Sequence, residues 1–409
     1  MGIMEKIRAI LARDSVLVIS IFVALVSCLL VPPDAGYATY IDWHTLVLLF
    51  SLMTVVAGLR FLGVIRILGE WVVARMHSKA MIATALILLT FFCSMFITND
   101  VALITFVPFA IVVMHKATMD GYMGPVVALM TIAANLGSML LPMGNPQNLY
   151  LFQTSGMDIY SFVQVMAPYT IFSAALLLVF LVALFRKKDS KSLGGAEKKK
   201  RVGQKNQKPS PQPNEANNTG KMCLLLSRKN LPFRKCFCAG VYAVLFVVCI
   251  CAVVNVVDVY VAGIVVLVIV LLIDRKILAR IDYGLLFTFI ALFVFVGNMG
   301  RIPLIHELVS QLIGAAPVLA SVVLSQVISN VPAALLLSGF TDQWQALIIG
   351  TNLGGLGTLI ASMASIISFK LITTEGLIKH GEYLKTFTCY NLIFLVLLLI
   401  LYVGLHPAW

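Results

Sequence analysis

Charged side chains are scarce in this sequence. They make up 12% of its 409 residues, whereas 60% of the residues are hydrophobic. A soluble domain carries about a quarter charged residues. Many of the apolar runs approach the roughly 20 residues that an α-helix needs to cross a bilayer. The composition excludes an ordinary soluble globule and indicates a polytopic membrane protein.

Signatures of several other protein classes are also missing. The eight cysteines match no zinc or disulfide spacing and fall mainly in or beside apolar runs. The sequence contains no HExxH or GxSxG motif, and no His or Asp pair lies within an apolar run. We therefore expect no enzyme activity and no cofactor. The first apolar stretch, Val16 to Leu30, also lacks the cleavage site of a signal peptide.

Surplus positive charge is confined to one segment. Residues 186–235 hold 15 Lys and Arg against 3 Asp and Glu, which accounts for the whole formal net charge of +12. The segment is rich in Lys, Asn, Gln, Ser and Gly, a composition typical of disorder. We interpret 187–235 as a basic disordered cytoplasmic loop close to anionic lipid headgroups. It has no interleaved aromatic residues, so we expect no nucleic-acid partner.

Basic residues also orient the predicted spans. Lys6, Arg8 and Arg13 precede the first span, so the N-terminus is predicted to be cytoplasmic, in a cell or inner membrane, and the C-terminus external. Residues 64–78 are predicted to lie as an amphipathic segment at the inner surface. The predicted uninterrupted spans are Ser15–Val31, Trp43–Leu62, Tyr160–Phe185, Phe237–Val256, Tyr260–Ile273, Tyr283–Gly297 and Leu384–Val403.

Two polar interruptions lie within long apolar runs, at residues 97–101 and 328–332. In lipid, non-helical backbone persists only where protein or a water-filled cavity surrounds it. We predict a re-entrant hairpin around each interruption, 80–114 entering from the cytoplasm and 304–340 entering from outside. Two complete spans are the alternative for the first segment, because both of its ends carry basic residues.

Two further spans are broken by glycine and proline. The first, 122–153, contains Pro142 and the run 144–148, in which Asn145 is a predicted N-cap and Pro146 opens the second half-helix. The second, 344–373, contains the glycine-rich run 354–358. With these two broken helices, the sequence predicts an all-α protein of about nine full spans plus two hairpins.

The two halves of the chain align with each other. Asp42-Trp43 matches Asp282-Tyr283, and residues 97–99 match 328–330. Residues 135–137 likewise match 352–354. Each half reads span, span, hairpin, broken helix, span, and one extra span separates the halves, so they are predicted to be inverted repeats. The predicted units are the N-terminal repeat 1–186, the loop 187–235, and the segment 236–409, which holds the extra span and the C-terminal repeat.

Helix ends supply the predicted chemistry. Half-helices are expected to begin after Asp100, Asn145 and Asn330 and near Thr358, and each would present free N–H groups and a positive dipole end to an anion. Carbonyl groups at the preceding helix ends would hold Na⁺. Lys370 is the only basic residue near the predicted core.

These motifs resemble the ion transporter superfamily, in particular citrate-transporter-like permeases related to divalent anion:sodium symporters and to arsenite permeases. The resemblance covers almost the whole chain outside the basic loop. In the symporters a Ser-Asn-Thr motif at each hairpin tip binds substrate and Na⁺. Here 98–100 and 329–331 retain the Asn and lack the final Thr. Residues 144–148 look like the glycine-asparagine-proline signature of the arsenite branch. The resemblance implies a homodimer and elevator-type movement.

The sequence thus predicts a secondary transporter of a small carboxylate or inorganic oxyanion, coupled to Na⁺ or H⁺, with a Na⁺/H⁺ antiporter as the alternative. Asp100 is the only carboxylate predicted deep in the membrane, and either ion coupling or plain helix capping explains it. The predicted substrate-binding residues are Thr98, Asn99, Gly144, Asn145, Pro146, Gln147, Asn148, Ser329, Asn330, Thr351, Asn352, Gly354, Gly357 and Thr358, and the predicted coupling residues are Asn99, Asp100 and Asn330.

Overall fold

A computed structural model describes residues 15–200, 233–374 and 378–406, and these ranges contain α-helices and short 3₁₀ helices but no strand. Seven of the described helices are long and apolar enough to cross a membrane, or eight if one bent pair counts as a span. The prediction of an all-α polytopic membrane protein is confirmed.

The helices follow the predicted order closely. In the first half they are α1 (Ser15–Leu30), α2 (Tyr37–Tyr40), α3 (Trp43–Leu62), α4 (Val64–Val73), α5 (Lys79–Ile97), α6 (Asn99–Lys116), α7 (Met123–Gly137), α8 (Pro146–Ser155) and α9 (Ile159–Lys200). In the second half they are α10 (Phe233–Val253), α11 (Val259–Asp274), α12 (Tyr283–Gly300), α13 (Pro303–Ala315), α14 (Pro317–Ile328), α15 (Asn330–Ser338), α16 (Trp344–Leu353), α17 (Met363–Thr374) and α18 (His380–Leu405).

Helix α9 is longer than the sequence predicts. It continues to Lys200, past the predicted boundary at residue 186. The helix therefore enters the segment predicted to be a disordered loop, and this corrects the start of that loop. Most of the remaining loop, residues 201–232, lies outside the described residues, so the disorder predicted there stays a prediction.

Helices α3 and α12 begin with the same local structure. Asp42 precedes α3 and accepts a hydrogen bond from the Thr45 backbone N–H at 3.0 Å. Asp282 precedes α12 and accepts one from the Leu285 backbone N–H at 3.2 Å. The two aspartates have nearly equal backbone angles, with φ of −78° and −80°. A carboxylate at this position stabilises a helix by satisfying a free N–H and the positive dipole end.

Despite this shared start, α3 and α12 run in opposite directions. The guanidinium of Arg280, just before α12, lies 4.2 Å from the ring centre of Phe61 at the end of α3. At the other side of the molecule, Tyr40, just before α3, accepts a hydrogen bond at 3.1 Å from Arg301, which follows α12. We call these two sides the Arg280 face and the Tyr40 face.

The first hairpin consists of α5 and α6. Lys79, at the start of α5, donates to the carbonyl of Thr118, just beyond the end of α6, at 3.4 Å. The two helices are therefore antiparallel, and their tip lies at Thr98, where α5 ends and α6 begins. The arms contain 19 and 18 residues, so each arm is also long enough to cross a membrane. Amphipathic helix α4 lies beside them and brings Gly69 close to Phe106.

The second hairpin is shorter than predicted. Residues 303–315 form the separate helix α13, which is bent by 111° from α14. Only α14 and α15, with 12 and 9 residues, form the hairpin around Ser329. The prediction that the hairpin starts at Leu304 is therefore wrong. Leu304 and Leu308 of α13 are exposed, as expected of an amphipathic helix outside the hairpin.

Both broken helices have the same design. In the first, α7 and α8 are separated by a 3₁₀ turn at Pro142–Gly144, with Asn145 at the N-cap position and Pro146 first in α8. In the second, α16 and α17 are separated by a 3₁₀ turn at Leu359–Ala361. The final half-helix begins at Met363, so the predicted start near Thr358 is wrong. The glycine-rich run is followed by the additional turn before helical structure resumes.

The two halves of the chain are interlocked in the core. Helix α8 packs against α15, and α17 packs against α6, so each second half-helix contacts the hairpin of the other half. Tyr150 of α8 and Ser338 of α15 are hydrogen-bonded through their hydroxyl groups at 2.8 Å. One continuous hydrophobic cluster includes residues from both halves. This packing brings the hairpin tips and the helix breaks together.

Candidate functional site

Each hairpin tip has a strained backbone. Thr98 has φ 66° and ψ 149°, and Ser329 has φ 76° and ψ 155°. These angles lie in a region that is almost restricted to glycine and costs on the order of 1–3 kcal/mol for other residues. Two hydroxyl residues therefore occupy the same unfavourable conformation at equivalent tips. Such strain persists where the surrounding structure imposes it, often at a ligand site.

Asn135, near the end of α7, is the centre of a buried hydrogen-bond network. Its Oδ1 accepts from Asn99 Nδ2 at 3.0 Å and from Ser362 Oγ at 3.1 Å. Its Nδ2 donates to the carbonyl of Gly355 at 3.3 Å. One side chain thus joins the first hairpin tip to both ends of the second helix break. Asn330 lies beside Gly355, because a Cβ on that glycine would approach Asn330 Nδ2 to 2.9 Å.

A second group of contacts holds the first break. Ser138 Oγ accepts from Asn145 Nδ2 at 2.7 Å. The Ser138 carbonyl accepts from Asn148 Nδ2 at 3.5 Å. Asn148 Oδ1 in turn accepts from Asn352 Nδ2 at 2.6 Å. Gly144 is required beside Ser138, since a Cβ there would lie 2.1 Å from the Ser138 carbonyl oxygen.

The second break is held differently, by Gln326 of α14. Its Nε2 donates to the carbonyl oxygens of Gly354 and Leu356 at 3.0 and 2.9 Å. Its Oε1 accepts from the backbone N–H of Thr358 at 2.8 Å. Gly357, with φ 108°, passes so close that a Cβ would lie 2.3 Å from Gln326 Oε1. One side chain therefore satisfies the unwound backbone of this break.

Asp100 is the second residue of α6 and is not a capping residue. The N-cap position belongs to Thr98, and no side chain caps it. The Asp100 backbone N–H donates to Asn99 Oδ1 at 2.9 Å. Its own Oδ1 is buried and has no hydrogen-bond partner among the described residues. Asp100 therefore does not cap α6 through a side-chain hydrogen bond, but as an acidic residue in the first turn it lies at the positive end of the helix dipole.

Not every predicted residue reaches the network. The Thr351 hydroxyl donates to Leu347 O of its own helix at 2.7 Å, so it does not face the site. Thr358 is exposed and bonds to Gln326 through its backbone and its hydroxyl. Pro146 only opens α8. Gln147 is buried, and its Nε2 has no partner in the described ranges.

Ser329 faces the second break from its hairpin tip. Its hydroxyl lies 3.4 Å from the carbonyl of Ala361, just ahead of the final half-helix, and 3.4 Å from Asn330 Oδ1. The structure therefore brings together Asn99, Asn145, Asn148 and Asn352 through hydrogen bonds, because Ser138 Oγ donates to the Asn135 carbonyl and so connects the two groups. Ser329 and Asn330 lie at the edge of this network. Gly354 and Gly357 contact Gln326 instead.

Comparison with known proteins identifies the family. The sequence profile of the citrate transporter family matches residues 2–342. The chain belongs to this family. It is 29% identical over 348 residues to an uncharacterized transporter of Methanocaldococcus jannaschii, covering 84% of each chain. It is 28% identical over 344 residues to the inner membrane protein YbiR of Escherichia coli, covering 81% of this chain and 80% of that one.

A more distant relative extends the range of the comparison. The chain is 27% identical over 154 residues to the silicon efflux transporter of Oryza sativa, which covers 38% of this chain and 31% of that protein. The family and these relatives support a multi-pass membrane transport protein. The resemblance inferred from the hairpin and glycine-asparagine motifs is thereby confirmed at the level of the family.

In this member of the citrate transporter family, the site has no cationic side chain. No Lys or Arg is buried in the described ranges, and Lys370 is exposed. Helices α6, α8, α15 and α17 all begin at residues in or beside the Asn135 network. Their free N–H groups and dipole ends are the positive groups available to a ligand.

Sequence reasoning missed Asn135, Ser138, Gln326 and Ser362. Asn135 was detectable, because the internal alignment pairs it with Asn352, which was predicted. Ser362 is equivalent to Asn145 by the same spacing, since each immediately follows a 3₁₀ turn. Gln326 had no such signal, because its equivalent in the first hairpin is Met95.

Proposed function

We propose that this protein is a secondary transporter of a small carboxylate or inorganic oxyanion, driven by Na⁺ or H⁺. The observation that carries the proposal is the Asn135 network, in which hairpin tips and helix breaks from both halves meet without a buried Lys or Arg. Helix N-termini attract anions through free N–H groups. The profile match to citrate transporters agrees with the carboxylate class.

We propose that the halves are inverted repeats that support alternating access. The antiparallel course of α3 and α12, the equal tip conformations of Thr98 and Ser329, and the two 3₁₀ turns support this symmetry. Discontinuous helices at a repeat interface are the usual location of a transporter site. A cavity of about 570 Å³ lies at the Tyr40 face and is lined by Tyr40, Tyr150 and Gly297 among others.

The coupled ion would bind beside Asp100. An intramembrane carboxylate that lacks a protein partner is costly unless it binds a cation or a proton. Asp100 Oδ1 is such a group, because it is buried and has no hydrogen-bond partner in the described ranges. The same carboxylate favours the alternative function, Na⁺/H⁺ antiport, in which Asp100 would exchange the two ions.

Flux measurements separate these functions. Purified protein in liposomes should accumulate labelled citrate or labelled phosphate only when an inward Na⁺ or H⁺ gradient is imposed. Release of protons on addition of Na⁺ without any anion would instead support the antiporter. An Asn135→Ala variant should lose anion flux, whereas a Thr351→Val variant should keep it, because the Thr351 hydroxyl bonds only within its own helix. Equal flux in wild type and Asn135→Ala would contradict the proposed site.

We also propose a homodimer in the cell membrane, with the Arg280 face cytoplasmic and the Tyr40 face external. Cys236 is exposed and lies near the start of α10. In the proposed orientation it reacts with maleimide only after permeabilisation. A cysteine introduced at Asn255, which lines the cavity at the Tyr40 face, reacts in intact cells. Crosslinking in native membranes tests the dimer, and a monomer only would overturn it.

A further inference from the structure

The two hairpins differ at two equivalent pairs of positions. Aligning Thr98 with Ser329 pairs Met95 with Gln326 and Asp100 with Val331. The first hairpin thus has a carboxylate and a thioether, and the second has an amide and an alkyl group. A thioether has no N–H to donate. One hairpin carries a negative charge without a donor, and the other carries a donor without a charge.

The amide of Gln326 lies where a cation would be held. Its Nε2 is within 3.0 Å of Gly354 O and 2.9 Å of Leu356 O, and within 3.2 Å of Val322 O on its own helix. Unwound carbonyl groups at the end of a half-helix are the groups that coordinate Na⁺ in transporters. Only the NH₂ end of the amide can face three carbonyl oxygens, because Oε1 would be repelled by them.

The same amide is fixed in place on its other side. Gln326 Oε1 accepts from the Thr358 backbone N–H at 2.8 Å, and the Thr358 hydroxyl donates to the Gln326 carbonyl at 3.2 Å. The side chain is therefore held at both ends of its amide, and the carbonyl groups of Gly354 and Leu356 are satisfied without an ion. In the first hairpin, by contrast, Asp100 Oδ1 is buried and has no hydrogen-bond partner in the described part of the chain.

We propose that the coupled cation binds only beside the first hairpin, at Asp100, because the Gln326 amide takes the place of a cation beside the second hairpin. This inference rests on the cation-coupled transport proposed above and sets its stoichiometry at one cation for each cycle. The cation is Na⁺ or a proton. The second hairpin and its break contribute only to the binding of the anion.

The number of bound cations can be measured on the full-length protein in detergent. Na⁺ is varied against choline at constant ionic strength, and pH is varied without Na⁺, while thermal unfolding is followed. A ligand that binds only the native state raises the free energy of unfolding. Above Kd, this free energy in units of RT rises with the natural logarithm of the ligand concentration, and the slope is about one for each bound ion. We expect a slope of about one for the wild type and about zero for Asp100→Asn.

Exchange of the paired positions gives the sharper test. The double variant Gln326→Met, Val331→Asp copies the first hairpin into the second and should raise the slope to about two. The double variant Met95→Gln, Asp100→Asn places a neutral amide in both hairpins and should remove cation dependence. Val327→Ala, at an exposed position on α14, is the matched control and should retain the wild-type slope.

A wild-type slope of about two, or a slope that Asp100→Asn leaves unchanged, overturns the one-sided assignment. A slope of two would still be compatible with cation-coupled transport, so the two proposals fail separately. Absence of any cation dependence in the wild type would overturn both. If the double variants do not fold, the slopes of the wild type and of Asp100→Asn decide the matter alone.

Discussion

Asn352 donates from Nδ2 to Asn148 Oδ1 over 2.6 Å, and this hydrogen bond joins the helix break of one half to the helix break of the other. The two residues are 204 positions apart in the sequence. Asn352 Nδ2 also donates to Ile348 O at 2.7 Å, which orients the side chain along its own helix. The bond therefore fixes the relative positions of α8 and α16 at the centre of the molecule.

Replacing Asn352 should weaken both stability and transport. In Asn352→Ala the buried Oδ1 of Asn148 loses its donor, and a buried group left unsatisfied costs about 1–3 kcal/mol. We expect a lower thermal unfolding midpoint together with reduced anion flux in liposomes. Thr351→Val is the control, since that hydroxyl bonds only within its own helix. Equal losses in both variants would contradict a role for the Asn148–Asn352 contact.

Asp100→Asn should abolish ion coupling and leave membrane insertion and dimerisation intact. The substitution keeps the shape of the side chain and removes the charge from a carboxylate whose Oδ1 is buried without a hydrogen-bond partner in the described ranges. Anion flux should then no longer respond to an imposed Na⁺ or H⁺ gradient. Flux is measured at several pH values, and unchanged gradient-driven transport at every pH would rule out the coupling role.

Thr98→Gly should stabilise the first hairpin. Thr98 has a positive φ of 66°, and glycine relieves a strain of about 1–3 kcal/mol, offset by about 1 kcal/mol of chain entropy. The thermal unfolding midpoint should therefore stay equal or rise. Thr84→Gly, within α5, is the control and should lower stability by a few tenths of a kcal/mol. A marked loss of stability in Thr98→Gly would show that the strain estimate is wrong.

The exposed ion pair between Arg301 and Asp34 gives a pH-dependent prediction. Arg301 lies 2.8 Å from Asp34 in an exposed position, and its guanidinium lowers the pKa of that carboxyl below the ordinary value. A lowered pKa stabilises the fold above the unfolded pKa, and this contribution is lost as pH falls through the folded pKa. Asp34→Asn should lower the unfolding midpoint slightly near neutral pH.

The difference between the wild type and Asp34→Asn should begin to shrink as pH falls below about 4, where the unfolded chain takes up a proton, and it should vanish below the lowered pKa of the folded carboxyl. It should also shrink in high salt, because exposed pairs are screened. Unfolding midpoints measured across this pH range provide the check. A difference that grows toward acid would contradict the assigned pairing.

Much of the fold was predictable because its signals are local. Helix α3 begins and ends where the sequence predicts, since Asp42 and Gly63 are strong start and stop signals. The N-cap position of Asn145 and the first position of Pro146 follow from similarly local preferences. The composition alone established the membrane class.

Long-range features were less accessible. The start of α17 was misplaced because the backbone after Gly357 forms a 3₁₀ turn that no sequence pattern marks. The second hairpin was predicted too long, because amphipathic α13 and apolar α14 form one hydrophobic run in the sequence. Gln326 was missed, since its partners lie 28 and 30 residues away and depend on how the break folds back.

The unequal hairpins have a consequence for the shape of the protein. Their first arms contain 19 and 12 residues and their second arms 18 and 9. If both tips lie near the same depth, the longer hairpin extends about 10 Å further at its open end, at 1.5 Å a residue. Exposed Lys79, His115 and Lys116 lie at that end. In the proposed inverted repeat, this difference in hairpin length makes the two aqueous surfaces unlike.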